Sequence, residues 1–195
     1  MITRAVRYLV GQLIEDGLIE ETQKDEYLYS LECLIEGILT IVSILILAIC
    51  FRKLIPTIMF LIFFFSLRRR TGGIHLDTFG KCYVGTLVLY VLITILAKYI
   101  VKKLLICTLL TVCASVYILS IGTINDCNID MSEEELNASK VSARLLILLL
   151  MMLAGFLKYI GVDIEIIVYM CLAIILCASL LIIAKIIKQD VRANE

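Results

Sequence analysis

A histidine and a cysteine seven residues apart, His75 and Cys82, are the pair in this chain whose types and spacing could make and break covalent bonds. They lie in the stretch Arg68-Arg69-Arg70-Thr71-Gly72-Gly73-Ile74-His75-Leu76-Asp77-Thr78-Phe79-Gly80-Lys81-Cys82, between two apolar runs. There is one histidine in the chain, so any cysteine–imidazole pair must use it. A cysteine attacks as its thiolate, which a neighbouring base, nearby cations or a helix N-terminus stabilises. Cys82 is the cysteine that meets these needs: it is close to His75, cations surround it, and it opens an apolar run whose helix dipole would favour an anion. On one unbroken helix, a spacing of seven puts both side chains on one face but about 10 Å apart along the axis, too far for a hydrogen bond. Contact therefore needs a break, and Gly72, Gly73 and Gly80 are residues that permit one. The expectation is His75 on a loop or re-entrant turn folded over Cys82, buried in protein or wet. Arg68, Arg69 and Arg70 read equally well as a positive-inside anchor and as a binding group for an acidic partner. Asp77 could orient His75 or cap the helix that follows, capping being the more general use of such a residue. Taken without further context, the pair also fits an isolated polar residue at a membrane boundary.

The elements that must hold this stretch are read from apolar runs. Of the 195 residues, 62% are hydrophobic, more than a soluble domain of this length can hide. The runs are continuous rather than alternating, which points to an all-α polytopic membrane protein and excludes a β-barrel. Residues 2–19 read as an amphipathic helix, with Ile2, Val6, Leu9, Val10, Leu13 and Ile14 at helical spacing and Arg4, Arg7 and Glu15 elsewhere. Too charged to span, it is expected on the cytoplasmic membrane surface, a helix packed on the rest of the protein being the alternative. No compact apolar core of a cleavable signal peptide occurs between Met1 and Gly17. A polar, helical entry at 23–30 feeds a first span over Leu31–Phe51, with Glu32 and Glu36 near its start read as interfacial. Leu54–Leu67 is a second run, short for a crossing unless its helix continues into the arginines and they snorkel. Its single proline, Pro56, falls in the first turn, where a missing N–H costs least. Further runs cover Cys82–Ala97, Leu104–Ile121, Leu145–Ile160 and Ile164–Ile183. Between the fourth and fifth lies the longest polar loop, Gly122–Ala143, holding a helix-start signal with Ser132 as N-cap and Glu135 three residues on. The whole, residues 1–195, reads as one membrane-embedded domain of about six transmembrane helices, with 1–30 as an interfacial segment.

Lys plus Arg and Asp plus Glu balance at 18 each, so net charge names no partner, but the distribution of cations orients the chain. With six crossings and the N-terminus inside, twelve cations fall inside (Arg4, Arg7, Lys24, Arg68–Arg70, Lys81, Lys140, Arg144, Lys185, Lys188, Arg192). Six fall outside (Arg52, Lys53, Lys98, Lys102, Lys103, Lys158). The positive-inside rule then places both termini and the His75–Cys82 stretch at the cytoplasmic face, where thiols stay reduced. Five of the eight cysteines (Cys50, Cys107, Cys113, Cys171, Cys177) sit in apolar runs without paired spacing and read as small apolar filler. Without a CxxC, and with one histidine, no metal site and no cofactor are expected.

Arg68, Gly73, His75 and Cys82 stand at the spacing of a known signature, basic residues and a glycine before a histidine and a cysteine seven residues after it. In this, and in its length, amphipathic N-terminus, six runs and a polar loop with Asn128, Ser132 and Glu135, the chain resembles the accessory gene regulator B family over essentially its whole length. It departs from the family where the loop opens: Gly122-Thr123-Ile124-Asn125 stands where members often carry an Ala-Pro pair. The resemblance implies a membrane cysteine endopeptidase of quorum sensing. Such an enzyme cuts a small precursor peptide near its C-terminus through a Cys82 thioester, with His75 protonating the departing amine, and promotes closure of a thiolactone or lactone ring. It implies the precursor peptide, the lipid bilayer and a second copy of the chain as partners, and no nucleic acid. A small transporter is the competing class, against which no interrupted helix pair or paired mid-span charges appear. A non-catalytic membrane scaffold is the other, and it would leave His75 and Cys82 replaceable.

Overall fold

Runs of apolar residues that must bury their backbone polar groups in lipid can do so as helices, and that is how this chain folds. The computed structural model describes residues 2–72, 79–124 and 133–187. These form α1 (Ile2–Glu15), α2 (Lys24–Cys50), α3 (Leu54–Thr71), α4 (Phe79–Ile100), α5 (Leu104–Ile121), α6 (Glu133–Tyr159) and α7 (Ile164–Ile186), with no strand among the described residues. Leu105, Met152 and Tyr159 are 74%, 69% and 88% exposed, as are many other large apolar side chains in part. Water would penalise that much apolar surface, whereas lipid does not. The chain is a membrane protein.

Four stretches are long and apolar enough to cross a membrane by length and composition: Ser30–Cys50, Tyr83–Ile121, Glu133–Tyr159 and Ile164–Ile186. The second holds two helices, α4 and α5, joined by a 3-10 turn at Val101–Lys103. Helix α3 does not meet the criterion, because its last turn is Arg68, Arg69 and Arg70. It nevertheless continues four residues past the end of its apolar run, as the short-run expectation required, and reaches about 27 Å with 18 residues. The cations at its C-terminus complement the helix dipole.

Helix α7 is the core of the bundle. It buries Ile167–Ile174 continuously, then Cys177, Ala178, Leu181 and Ala184. It packs on α3, α4, α5 and α6. Alanines and cysteines on α7 let neighbouring backbones approach closely, the usual device where lipid supplies no hydrophobic drive between helices. The Cys177 thiol reaches the Phe64 carbonyl at 3.6 Å. At one end of the same pair, Lys53 Nζ lies 2.6 Å from Glu165 Oε2. From Lys53 to Phe64 is 11 residues and from Glu165 to Cys177 is 12, so α3 and α7 run parallel. Phe60 stacks on Phe64 within α3 at 5.6 Å and tilts against Tyr90 of α4 at 6.3 Å. The Tyr90 hydroxyl shares a 2.8 Å hydrogen bond with Thr57, satisfying both inside the membrane region.

Several boundaries differ from the sequence expectation. Helix α1 stops at Glu15 rather than 19, closed by Gly17 N donating to Ile14 O and Leu18 N donating to Leu13 O. Val6 and Val10 are buried and α1 packs on α2, so its apolar stripe is at least partly met by protein. Residues 133–143, placed in the polar loop that held the helix-start signal, are the first three turns of α6, with Glu133–Glu135 favourably placed against its dipole. The proposed Ser132 cap lies outside the described residues. Of the five filler cysteines, Cys107, Cys171 and Cys177 are buried, while Cys50 and Cys113 are exposed. Glu36, expected at the interface, has one carboxylate oxygen buried, with no hydrogen-bond partner among the described residues.

Candidate functional site

The segment leading into the motif leaves α3 from a platform in which the carbonyls of Leu67, Arg68, Arg70, Thr71 and Gly72 are bonded. Helix C-termini leave their last carbonyls without intrahelical donors. Here the Thr71 hydroxyl donates to Leu67 O at 3.0 Å, and Gly72 N donates to Arg68 O at 3.1 Å. Arg70 O accepts from the hydroxyls of Thr123, at 2.8 Å, and Ser139, at 3.0 Å. Thr71 O accepts from Ile124 N at 3.1 Å. The Arg68 guanidinium turns back to donate to Gly72 O at 2.9 Å. Arg68 is thus in part a helix-end cap, whereas Arg69 and Arg70 are exposed.

Gly72 has φ +70° and ψ −157°, a region open in practice to glycine alone. A Cβ there would stand 2.9 Å from Ile124 O. The neighbouring Gly122, at φ +77°, lies against Lys140, whose Cγ would be 3.0 Å from an added Cβ. Three helix ends therefore meet: the C-terminus of α3, the C-terminus of α5 and the first turns of α6. Arg144 on α6 completes the junction by donating from Nε to Leu119 O at 2.9 Å, capping α5. The lack of a proline after Gly122 has a counterpart here, because a proline at position 124 would have no N–H to give Thr71 O. Thr123, Ser139 and Arg144 were not singled out as site residues from the sequence. Their pairings span 53, 69 and 25 residues, and no local pattern announces them.

Helix α4 begins at Phe79, which places Cys82 in its first turn. Gly80, one of the residues that would permit a break, is instead the second residue of α4, and nothing lies within 4 Å of a Cβ added there. Any break between His75 and Cys82 must come before Phe79. The first-turn placement is the one in which unpaired backbone N–H groups and the helix dipole favour a thiolate. Lys81 is exposed beside it. Gly73, His75 and Asp77 belong to residues 73–78, outside the described residues, as does the expected cap by Asp77. The structure brings Arg68, Arg69, Arg70 and Gly72 to the end of α3 and places Cys82 at the start of α4. Among the described residues, no group of three His, Cys, Asp or Glu side chains could hold a metal ion.

One further polar contact reaches this region. The Ser43 hydroxyl on α2 and the Tyr83 hydroxyl on α4 share a 2.7 Å hydrogen bond, partly buried. A serine inside an apolar run was the available signal, though nothing in sequence says what it meets.

Comparison with known proteins gives one match. The family described as Accessory gene regulator B matches residues 3–184, nearly the whole chain. No curated protein and no solved structure matches it.

Proposed function

Because the chain belongs to the accessory gene regulator B family, we propose that it is a membrane cysteine endopeptidase that matures a quorum-sensing peptide, residues 1–195 acting as a single membrane-embedded peptidase domain. The observation that carries this reading is the position of Cys82, in the first turn of α4 and following a chain segment that leaves an α3 terminus tied down at Arg70 and Gly72. A thiol there gains from the helix dipole and from the cations of the motif. The Cys82 thiolate attacks the scissile carbonyl, and the C–N bond breaks as His75 gives its proton to the departing amine. The product is a thioester on Cys82 and a released C-terminal peptide. A thiol or hydroxyl of the bound peptide then attacks the thioester, giving its proton back to His75, closing a thiolactone or lactone and restoring the Cys82 thiolate. Thioester exchange is nearly balanced, whereas making a thioester from an amide is uphill, so removal of the released tail helps drive turnover. A site at the membrane boundary limits hydrolysis of the thioester by limiting water.

In this reading Arg68, Arg69, Arg70, Gly72, Gly73 and Asp77 support the pair or bind the peptide. Six crossings put both termini and the motif at the cytoplasmic face. The parallel course of α3 and α7 fits that topology, since both would run from outside to inside. The reading is tested by co-expressing the chain with its precursor peptide and watching by gel for the cut peptide and a Cys82-linked intermediate. If the precursor stays intact beside properly inserted protein, the peptidase reading fails and a scaffold or transporter role takes its place.

Two narrower expectations follow from this placement. A membrane-impermeant maleimide added to intact cells should leave Cys82 unlabelled while labelling it in inverted vesicles, read by mass spectrometry; efficient labelling from outside would reverse the orientation. Exchanging residues 125–143 for those of a relative should change which precursor is cut. The first turns of α6 in that stretch carry Glu133–Glu135 and adjoin Arg70 through Ser139. Unchanged precursor choice would reduce the stretch to a connector.

A further inference from the structure

Helix α2 turns two different faces outward and inward. Ile38, Val42, Ile46 and Ile49 are 53%, 48%, 56% and 61% exposed, a stripe at helical spacing that suits lipid. The opposite face holds Thr40 and Ile44, both buried, and Ala48. On this inner face the polar groups are Glu36, with one buried carboxylate oxygen, Thr40, and Ser43, which pairs with Tyr83. A purely packing helix in lipid has no use for such a stripe, because each polar group there must be bonded or costs free energy. Tyr83 is the residue after Cys82. Its side chain leaves the same turn of α4 as Cys82, so tying its hydroxyl to α2 limits both the rotation and the height of that turn.

We propose that the Ser43–Tyr83 hydrogen bond positions Cys82, making Ser43 and Tyr83 positioning residues of the peptidase. The proposal rests on the reading of Cys82 as nucleophile. A helix first turn is prone to fray, since its N–H groups lack partners within the helix. A side-chain bond to a neighbouring helix one residue from the thiol restricts that fraying where it matters. The bond also crosses from α2 to α4, two helices joined in sequence only through α3, so it sets the distance between elements that local structure leaves free.

The test reads the thiol directly, without the natural substrate. In membranes carrying the full chain, the rate of Cys82 alkylation by iodoacetamide is measured across pH. Trypsin cuts after Lys81 and gives a peptide running from Cys82 to Lys98 with one cysteine, so the site is resolved by mass spectrometry. Tyr83→Phe and Ser43→Ala should each change the rate by up to about fivefold, the net worth of one hydrogen bond, or displace the pH profile. The double variant should match either single one, because both remove the same bond. Ser43→Thr, which keeps the hydroxyl, should restore the wild-type profile. Unaltered profiles in both single variants, or effects that multiply in the double one, overturn the proposal. Precursor cleavage by Cys82→Ala is followed in parallel. Retained cleavage there removes the nucleophile reading itself, whereas its loss beside silent Ser43 and Tyr83 variants removes only the positioning role.

Discussion

Cys82→Ala is expected to abolish precursor cleavage while the protein still inserts and still binds peptide. Loss of the nucleophile leaves no atom to carry the acyl group, so the fall should reach the limit of detection. Cys82→Ser should be nearly as inactive, because a hydroxyl is a far weaker nucleophile without a complete activating system. The sharper variant replaces Cys33, Cys50, Cys107, Cys113, Cys127, Cys171 and Cys177 together by alanine or serine, leaving Cys82 as the sole thiol. It should keep cutting, with a lower yield of folded protein, because Cys107, Cys171 and Cys177 are buried in the bundle. A well-inserted sole-thiol protein that cannot cut, beside a Cys82→Ala protein that can, would show that another cysteine is the nucleophile.

Gly72→Ala is expected to have the next largest effect, and on stability as well as turnover. The glycine sits in backbone space costing other residues about 1–3 kcal/mol. Its added Cβ would also meet Ile124 O at 2.9 Å. That oxygen is backbone, so it cannot swing aside like a side-chain tip, and shifting the chain there disturbs the bond from Ile124 N to Thr71 O at 3.1 Å. Relief requires opening the junction between α3 and α5. In detergent, Gly72→Ala should lose its monodisperse peak on size exclusion at a clearly lower temperature than wild type, and precursor cleavage should fall with it. Gly80→Ala is the matched control for stability. That residue is helical and unobstructed, so alanine there should be neutral or stabilising by up to about 1 kcal/mol. Equal heat resistance in Gly72→Ala and wild type, or an equal loss in Gly80→Ala, would contradict the argument.

How much of this was legible in sequence depended on whether the determinant was local. Leu104–Ile121 matched α5 at both ends because the run is bounded by lysines and a glycine. Helix α3 outran its apolar stretch because arginines are good helix formers and suit a C-terminal turn, a preference that hydropathy does not register. Residues 133–143 carried a legible helix-start signal, but their polarity kept them outside the apolar run that bounded the expected span. Gly80 was read as permitting a break, but one glycine in a first turn costs little when the following residues are helical. The expected pairing of His75 with Cys82 rests on the single imidazole of the chain, and His75 lies outside the described residues. The junction of Arg70 with Thr123 and Ser139, and the bond of Ser43 to Tyr83, were not legible. They depend on how helices dock, and partners 40 to 69 residues apart leave no periodic trace.

The parallel course of α3 and α7 bears on how the protein is made. Parallel neighbours cannot form as a hairpin, and Phe64 and Cys177 meet across 113 residues of chain. The ribosome delivers α3 early and α7 after every other helix described here. Until then the buried face of α3, with Phe60, Phe63, Phe64 and Leu67, lacks its principal wall. Three arginines at its end further weaken its hold as an independent span. Helix α3, whose end presents the motif, therefore waits in the bilayer for the final helix. The last segment to leave the translocon is the keystone, and a chain released before Ile164 would carry the motif on a helix with no seat.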